Sequence, residues 1–252
     1  MPDRWIDATA RLGEGTELGY GVVLEAGVTL GRNCRVGHHV VVRAGTAIGD
    51  EVRLDDYVSI GKWPLRAVNS ILKPTQELPP ARVGHGCLIG TGATLYRGAA
   101  LGRNVLVADQ ASVRERVEVG DFTIIGRGVV VENDCTVGRY CKLETEAYIT
   151  AYSTIEDRVF IAPQVTTTND RFIGRTEERF KHFRGVTVRR GGRIGAGAVI
   201  LPGLTVGEDA LIAAGSVLTH DAPAGMILLG SPAKVLRAVP SEQRLENQGW
   251  PE

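Results

Sequence analysis

The chain has 252 residues, with 29 basic and 29 acidic side chains, so its formal net charge is zero. That balance argues against a nucleic-acid binder, which carries a basic surplus or stripe, and no apolar run approaches the roughly 18 residues that span a bilayer. With 32 glycines but 43% hydrophobic residues, the chain is too apolar to stay solvated, so its glycines are expected in ordered turns. Met1 to Asp7 lacks the basic and apolar regions of a signal peptide, and a cytoplasmic location is expected.

The first element in chain order is a repeat. From Leu12 an aliphatic residue returns at every sixth position, through Leu18, Leu24, Leu30, Val36, Val42, Ile48 and Leu54 to Ile60. A second run goes from Val83 through Ile89 and Leu95 to Ile161, with Thr167 one step further, and a third from Val188 to Leu218. A period of six matches neither 3.6 nor 2, which excludes a helix or an ordinary amphipathic strand. It suits a short strand plus a turn, stacked so that each strand pairs with its equivalent in the next coil, about 4.8 Å along the axis. Four positions after most aliphatics sits a small residue, such as Ala93, Ala111, Thr123, Val129 or Ala198; Leu204 is the main exception. Cys34, Cys87, Cys135 and Cys141 occupy that same slot and match no zinc spacing, so they are read as packing residues.

Units such as Arg193-Ile194-Gly195-Ala196-Gly197-Ala198 and Leu211-Ile212-Ala213-Ala214-Gly215-Ser216 resemble the hexapeptide signature of bacterial acyltransferases. The resemblance implies an all-β fold, a left-handed parallel β-helix in which three units make one triangular coil of 18 residues. About ten coils are expected over residues 1–223, interrupted by loops at about 62–82 and 168–187. Residues 224–252 are expected to form a C-terminal tail with a short helix from Ser241 to Gln248, Ser241 being its N-cap.

On an 18-residue coil both loops leave the same edge of the prism, about five coils or roughly 24 Å apart. Loops of this length in a compact domain are commonly functional. After the aliphatic residue the other two faces mostly carry Gly or Ala, whereas this one carries Tyr96-Arg97, Arg114-Glu115, Glu132-Asn133 and Thr168-Asn169. Arg97, Glu115, Asn133 and Asn169 therefore stack in one column and form the candidate cleft. Arg114, Glu132, Asp170 and Arg171 are further substrate-binding candidates. The competing reading is a solvated ion-pair ladder, which is the reading given to the column His85, Arg103, Asp121, Arg139, Asp157 on another face.

The segment Thr168-Asn169-Asp170-Arg171-Phe172, the final units, and Gly230-Ser231-Pro232-Ala233-Lys234 resemble the nucleotide-linked amino-sugar N-acetyltransferases of this superfamily. The resemblance implies a homotrimer that takes acetyl-CoA as donor, with Asn169 beside the sugar amine. The position of Asn133 is often His in that group, and Asn here leaves no evident general base. A neutral amine attacks without one, so catalysis would rest on positioning and on donors to the oxyanion. A hydroxyl acceptor needs a base, and His182 in Phe180-Lys181-His182-Phe183 is the histidine nearest in sequence, which keeps an O-acetyltransferase as the alternative. Asn169, Asn133 and His182 are thus the catalytic candidates. The resemblance places the pantetheine arm along Ala196, Ala213 and Ala214, with Lys234 and Arg237 meeting CoA phosphates. No metal is expected, because a zinc carbonic-anhydrase-type site needs three spaced histidines, and here His38 and His39 are adjacent and His85 stands alone. A non-catalytic scaffold is the alternative of another class.

Overall fold

The computed structural model describes residues 4–68 and 77–249. Residues 69–76 of the first expected loop and residues 250–252 of the expected tail lie outside the described residues, as do residues 1–3. Most hexapeptide units form a two-residue strand and a turn, and the units wind into three sheets of 11, 10 and 12 strands, parallel but for the last strand of the third. The register steps by one coil: Arg82-Val83 lies beside Ala100-Leu101, and Leu88-Ile89 beside Leu106-Val107. A strand N–H therefore reaches a carbonyl one coil later, as Leu88 N–H does to Val105 O at 3.0 Å.

The column of aliphatics is the core. Leu24, Ile60, Leu95, Ile125, Ile149 and Ile200 are fully buried, each contributing about 1.5–3 kcal/mol. At the corners, the third residue after the aliphatic takes a left-handed backbone, whether Gly86 (φ 68°), Asn104 (φ 55°) or Tyr140 (φ 57°). This is why the sequence is rich in glycine and yet ordered. The four cysteines fill the inward slot, all fully buried. Burial pushes the thiol of Cys135 up to about 12 and that of Cys141 up to about 11. Because the thiolate is the reactive form, native protein at pH 8 is expected to leave these thiols unmodified by a disulfide reagent. In denaturant, where thiol pKa values return to about 8.5, all four should titrate.

Two expectations need correction. The solenoid runs slightly longer than ten coils, because it continues past both ends of the aliphatic series. Trp5-Ile6 pairs with Val23-Leu24 before the register residue Leu12, and Met226–Gly230 pairs with the strand Leu211-Ile212 after Leu218. The chain reaches this last strand through an irregular turn in which Ala222 bridges to Val206, so the six-step count loses it. The region after 223 is also mainly β. Met226–Gly230 and Ala233–Ala238 form an antiparallel hairpin that completes the twelve-stranded sheet.

In place of one helix, residues Ser241–Gln243 and Leu245–Asn247 make two single 3₁₀ turns. Ser241 is not the cap; Pro240 holds that position and makes no side-chain cap bond. The helix is interrupted because the Asp209 carboxylate accepts Leu245 N–H at 3.1 and 3.2 Å and Arg244 is extended (ψ 147°). The loop edge is as expected. The strands Ser59–Lys62 and Thr166-Thr167, which precede the two loops, belong to the same eleven-stranded sheet.

Candidate functional site

The site column lies at the corner where the eleven-stranded sheet turns into the ten-stranded one. Its lowest member, Arg97, is spent on the first loop: Nε donates to Leu78 O and Nη1 to Ala44 O, both at 2.8 Å. Its guanidinium also covers the Trp63 ring, 4.8 Å from the centroid. Arg97 thus fastens the first loop at Leu78 to the turn at Ala44.

One coil on, Glu115 is fully buried and takes a two-point hydrogen bond from Arg114, Nε to Oε2 at 2.9 Å and Nη2 to Oε1 at 3.3 Å. Such a fork fixes the guanidinium plane. Arg114 Nη1 then donates to Glu132 Oε2 at 3.3 Å, and the guanidinium lies 4.8 Å from the Tyr96 ring centre. Lys62, where the first loop begins, sits over the same ring at 5.3 Å. Although burial disfavours its charge, the carboxylates of Glu115 and Glu132 hold the Arg114 pKa above its ordinary value. Glu115 therefore supports the site from beneath and does not face it.

Asn133 is also buried, 3% exposed, and its Nδ2 donates to Asp134 Oδ2 at 2.6 Å. Asp134 in turn is paired with Arg116, whose Nη2 lies 2.7 Å from Oδ2. Despite desolvation, these bonds lower the Asp134 pKa. Asn169, two coils further, differs: its carbonyl accepts Arg184 N–H at 3.2 Å, while no described residue bonds its half-buried side-chain amide.

The second loop is organised around Asp170, whose carboxylate accepts the N–H groups of Phe172 and Gly174, both at 2.9 Å, and Arg179 Nη1 at 3.3 Å. Arg171 is exposed. His182 faces along its own loop: Nε2 lies 3.1 Å from Glu178 Oε1, and its ring lies 5.8 Å from that of Phe172. The residue missed from sequence is Tyr148, an outward strand residue on the same sheet. Burial and the Glu132 charge push its hydroxyl pKa up. Its signal was an aromatic at an outward position whose register partners are Val130 and Thr166.

The donor candidates lie elsewhere. Ala196, Ala213 and Ala214 occupy the corner between the twelve- and eleven-stranded sheets, one face away from the column. Ala196 and Ala214 are exposed, and added side-chain atoms at Gly197 and Gly215 would meet nothing within 4 Å. In two earlier coils the equivalent N–H is taken by an aspartate: His38 N–H by Asp56 at 2.6 Å and Thr91 N–H by Asp109 at 2.9 Å. No described residue accepts the N–H of Ala196 or Ala214. Lys234 and Arg237 are exposed on the outer strand of the hairpin.

The alternating column at the third corner is a ladder within the chain: Asp121 takes Arg103 N–H at 2.8 Å and Asp157 takes Arg139 N–H at 2.7 Å. Among the described residues no helix is long and apolar enough to cross a membrane, and no group of three His, Cys, Asp or Glu could hold a metal ion.

The family model for the bacterial transferase hexapeptide (six repeats) matches residues 9–44, and that for the hexapeptide repeat of succinyl-transferase matches 80–108 and 185–220. A 2,3,4,5-tetrahydropyridine-2,6-dicarboxylate N-acetyltransferase of Staphylococcus aureus is 50% identical over 50 residues, 20% of this chain and 21% of that protein. The same-named protein of Clostridium perfringens is 50% identical over 46 residues, 18% of this chain and 20% of that one. The matched stretch thus spans about a fifth of these curated relatives. The UDP-N-acetylglucosamine acyltransferase of Francisella novicida superposes over 100% of this chain and 74% of its own, at TM-score 0.53 and 17% identity, a likeness of fold.

Proposed function

Because the chain belongs to the hexapeptide-repeat superfamily of left-handed β-helices, we propose that it is an acyl-CoA-dependent acyltransferase. The reading is that it N-acetylates an amino group on a nucleotide-linked sugar, with acetyl-CoA as donor. The observation that carries it is the corner at Ala196 and Ala214, where exposed N–H groups stand free of side chains that would block approach. An extended chain of amide groups, such as a pantetheine arm, would find donors there at one-coil spacing. Lys234 and Arg237 would meet the phosphates.

Donor and acceptor edges lie on different corners of one prism. A second copy of the chain that supplies one of the two edges would bring thioester and amine together. This supports the homotrimer reading, with the reaction between protomers. Asn169, with its amide unspent, would orient the amine, and Asn133 would hold its corner through Asp134. Amide formation then proceeds by direct attack, with positioning as the main catalytic term.

Calorimetry with acetyl-CoA tests the reading, and absence of binding at millimolar donor would sink it. In a thiol-release assay with UDP-glucosamine, Asn169→Ala is expected to lower kcat/KM by about 10–100-fold, the cost of lost orientation. His182→Ala should leave it within about threefold, since that ring is turned to Glu178; a base would cost 10²–10⁴. Abolished turnover in His182→Ala would favour the O-acetyltransferase alternative.

A further inference from the structure

On the strand face beside the column, one carboxylate oxygen is left over. Glu132 Oε2 accepts Arg114 Nη1, but Oε1 receives no hydrogen bond from any described residue, and the side chain is 22% exposed. The carboxylate is held firmly. Arg114 cannot swing away, because buried Glu115 grips it at two points and the Tyr96 ring covers its face. Tyr148 lies close enough for the Glu132 charge to raise its hydroxyl pKa. The result is an anionic oxygen presented from an aromatic wall between the two loops.

Three arginines of this corner are engaged. Arg97 holds the carbonyls of Leu78 and Ala44, Arg114 holds Glu115 and Glu132, and Arg116 holds Asp134. The wall thus presents a carboxylate oxygen outward, with its nearest arginine already fixed.

Resting on the acyltransferase reading above, we infer that Glu132 binds the ammonium group of the acceptor and takes its proton, so that the acceptor class is a cationic amine. Arg114 and Glu115 are positioning residues that aim Oε1. The ammonium gives one proton to Glu132, which frees the nitrogen lone pair. The nitrogen then forms the C–N bond to the thioester carbonyl carbon, the C–S bond breaks, and its electron pair leaves on sulfur. The second nitrogen proton goes to the departing thiolate, and Glu132 returns its proton to solvent.

The test is thiol release from acetyl-CoA with matched acceptors: UDP-glucosamine against UDP-glucose, and glucosamine against glucose. The amines are expected to exceed their alcohols by at least about 100-fold in kcat/KM. Glu132→Gln, which keeps shape and removes charge, should cut the amine rate by about 100-fold and erase the preference, with acetyl-CoA affinity unchanged. Glu132→Asp should restore part of it, and Arg114→Lys should raise KM for the amine more than it lowers kcat. Acetyl-CoA binding without an amine preference, or a preference intact in Glu132→Gln, overturns this inference and leaves the acyltransferase reading standing. Failure to bind acetyl-CoA removes both.

Discussion

Gly185→Ala is expected to lower activity by about 100-fold while the solenoid stays folded, because it unseats the second loop. Gly185 is where that loop returns to the helix, and its Cα lies flush against the turn below. A β-carbon there would fall on the backbone of Tyr152 and Ser153, at the carbonyl and the amide nitrogen, which have no freedom to give way. The neighbouring bonds show what would move. Ser153 hydroxyl accepts Val186 N–H at 3.2 Å, and Arg184 N–H is held by Asn169 O at 3.2 Å. Displacing Gly185 pulls on both and so shifts Asn169, the one column amide without a partner. The checks are kcat/KM with UDP-glucosamine and limited proteolysis in the loop. Unchanged kinetics together with an uncut loop would show that its seating does not matter to the site.

The second large effect is on stability. Glu115→Ala is expected to cost about 3–5 kcal/mol in urea unfolding, because it leaves the Arg114 guanidinium with only Glu132 to answer it. Glu115 is fully buried, so its removal also opens a void at the corner. Replacing Arg114 and Glu115 together, by Met and Leu, should recover most of the loss, since a buried ion pair is worth little against an apolar pair of similar volume. The double variant should nonetheless lose turnover, because Glu132 is no longer aimed. Recovery of both stability and activity would mean the pair serves packing alone. A long repeat can unfold in stages, so the comparison requires coincident transitions by two probes.

The sequence made some of this legible and hid the rest for physical reasons. An exact step of six from Leu12 to Ile60 and again from Val83 to Ile161 reports a core in which every coil repeats the last, so face and coil could be assigned to each residue. That assignment put Arg97, Glu115, Asn133 and Asn169 on one corner, where the structure has them. What the period does not carry is the direction of a corner side chain. Asn133 turns to Asp134, Glu115 turns inward to Arg114, and Arg97 reaches back to Ala44, 53 residues away. Each choice depends on a neighbour in another coil or loop, and no local propensity encodes it. The final hairpin was missed for a related reason. Asp221 to Gly225 breaks the six-residue step, and the exposed strand Ala233–Ala238 has no inward column to advertise it. Ser241 looked like a cap by residue type, but Asp209, 36 residues earlier, decides how Leu245 is held.

Since each coil advances the chain by about 4.8 Å, the two loop walls are mounted on a ruler with coarse graduations. The gap between the strands Ser59–Lys62 and Thr166-Thr167 can change only by whole coils, because a shift of one or two residues would turn the aliphatic column out of the core. Excising one 18-residue period from between them, for instance Leu101 through Glu118, would bring both walls closer by a single graduation and leave each wall's own anchoring intact. The length of acceptor that fits between the loops is thus set in discrete sizes, and enzymes on this scaffold can be regauged for shorter or longer substrates without redesigning either wall.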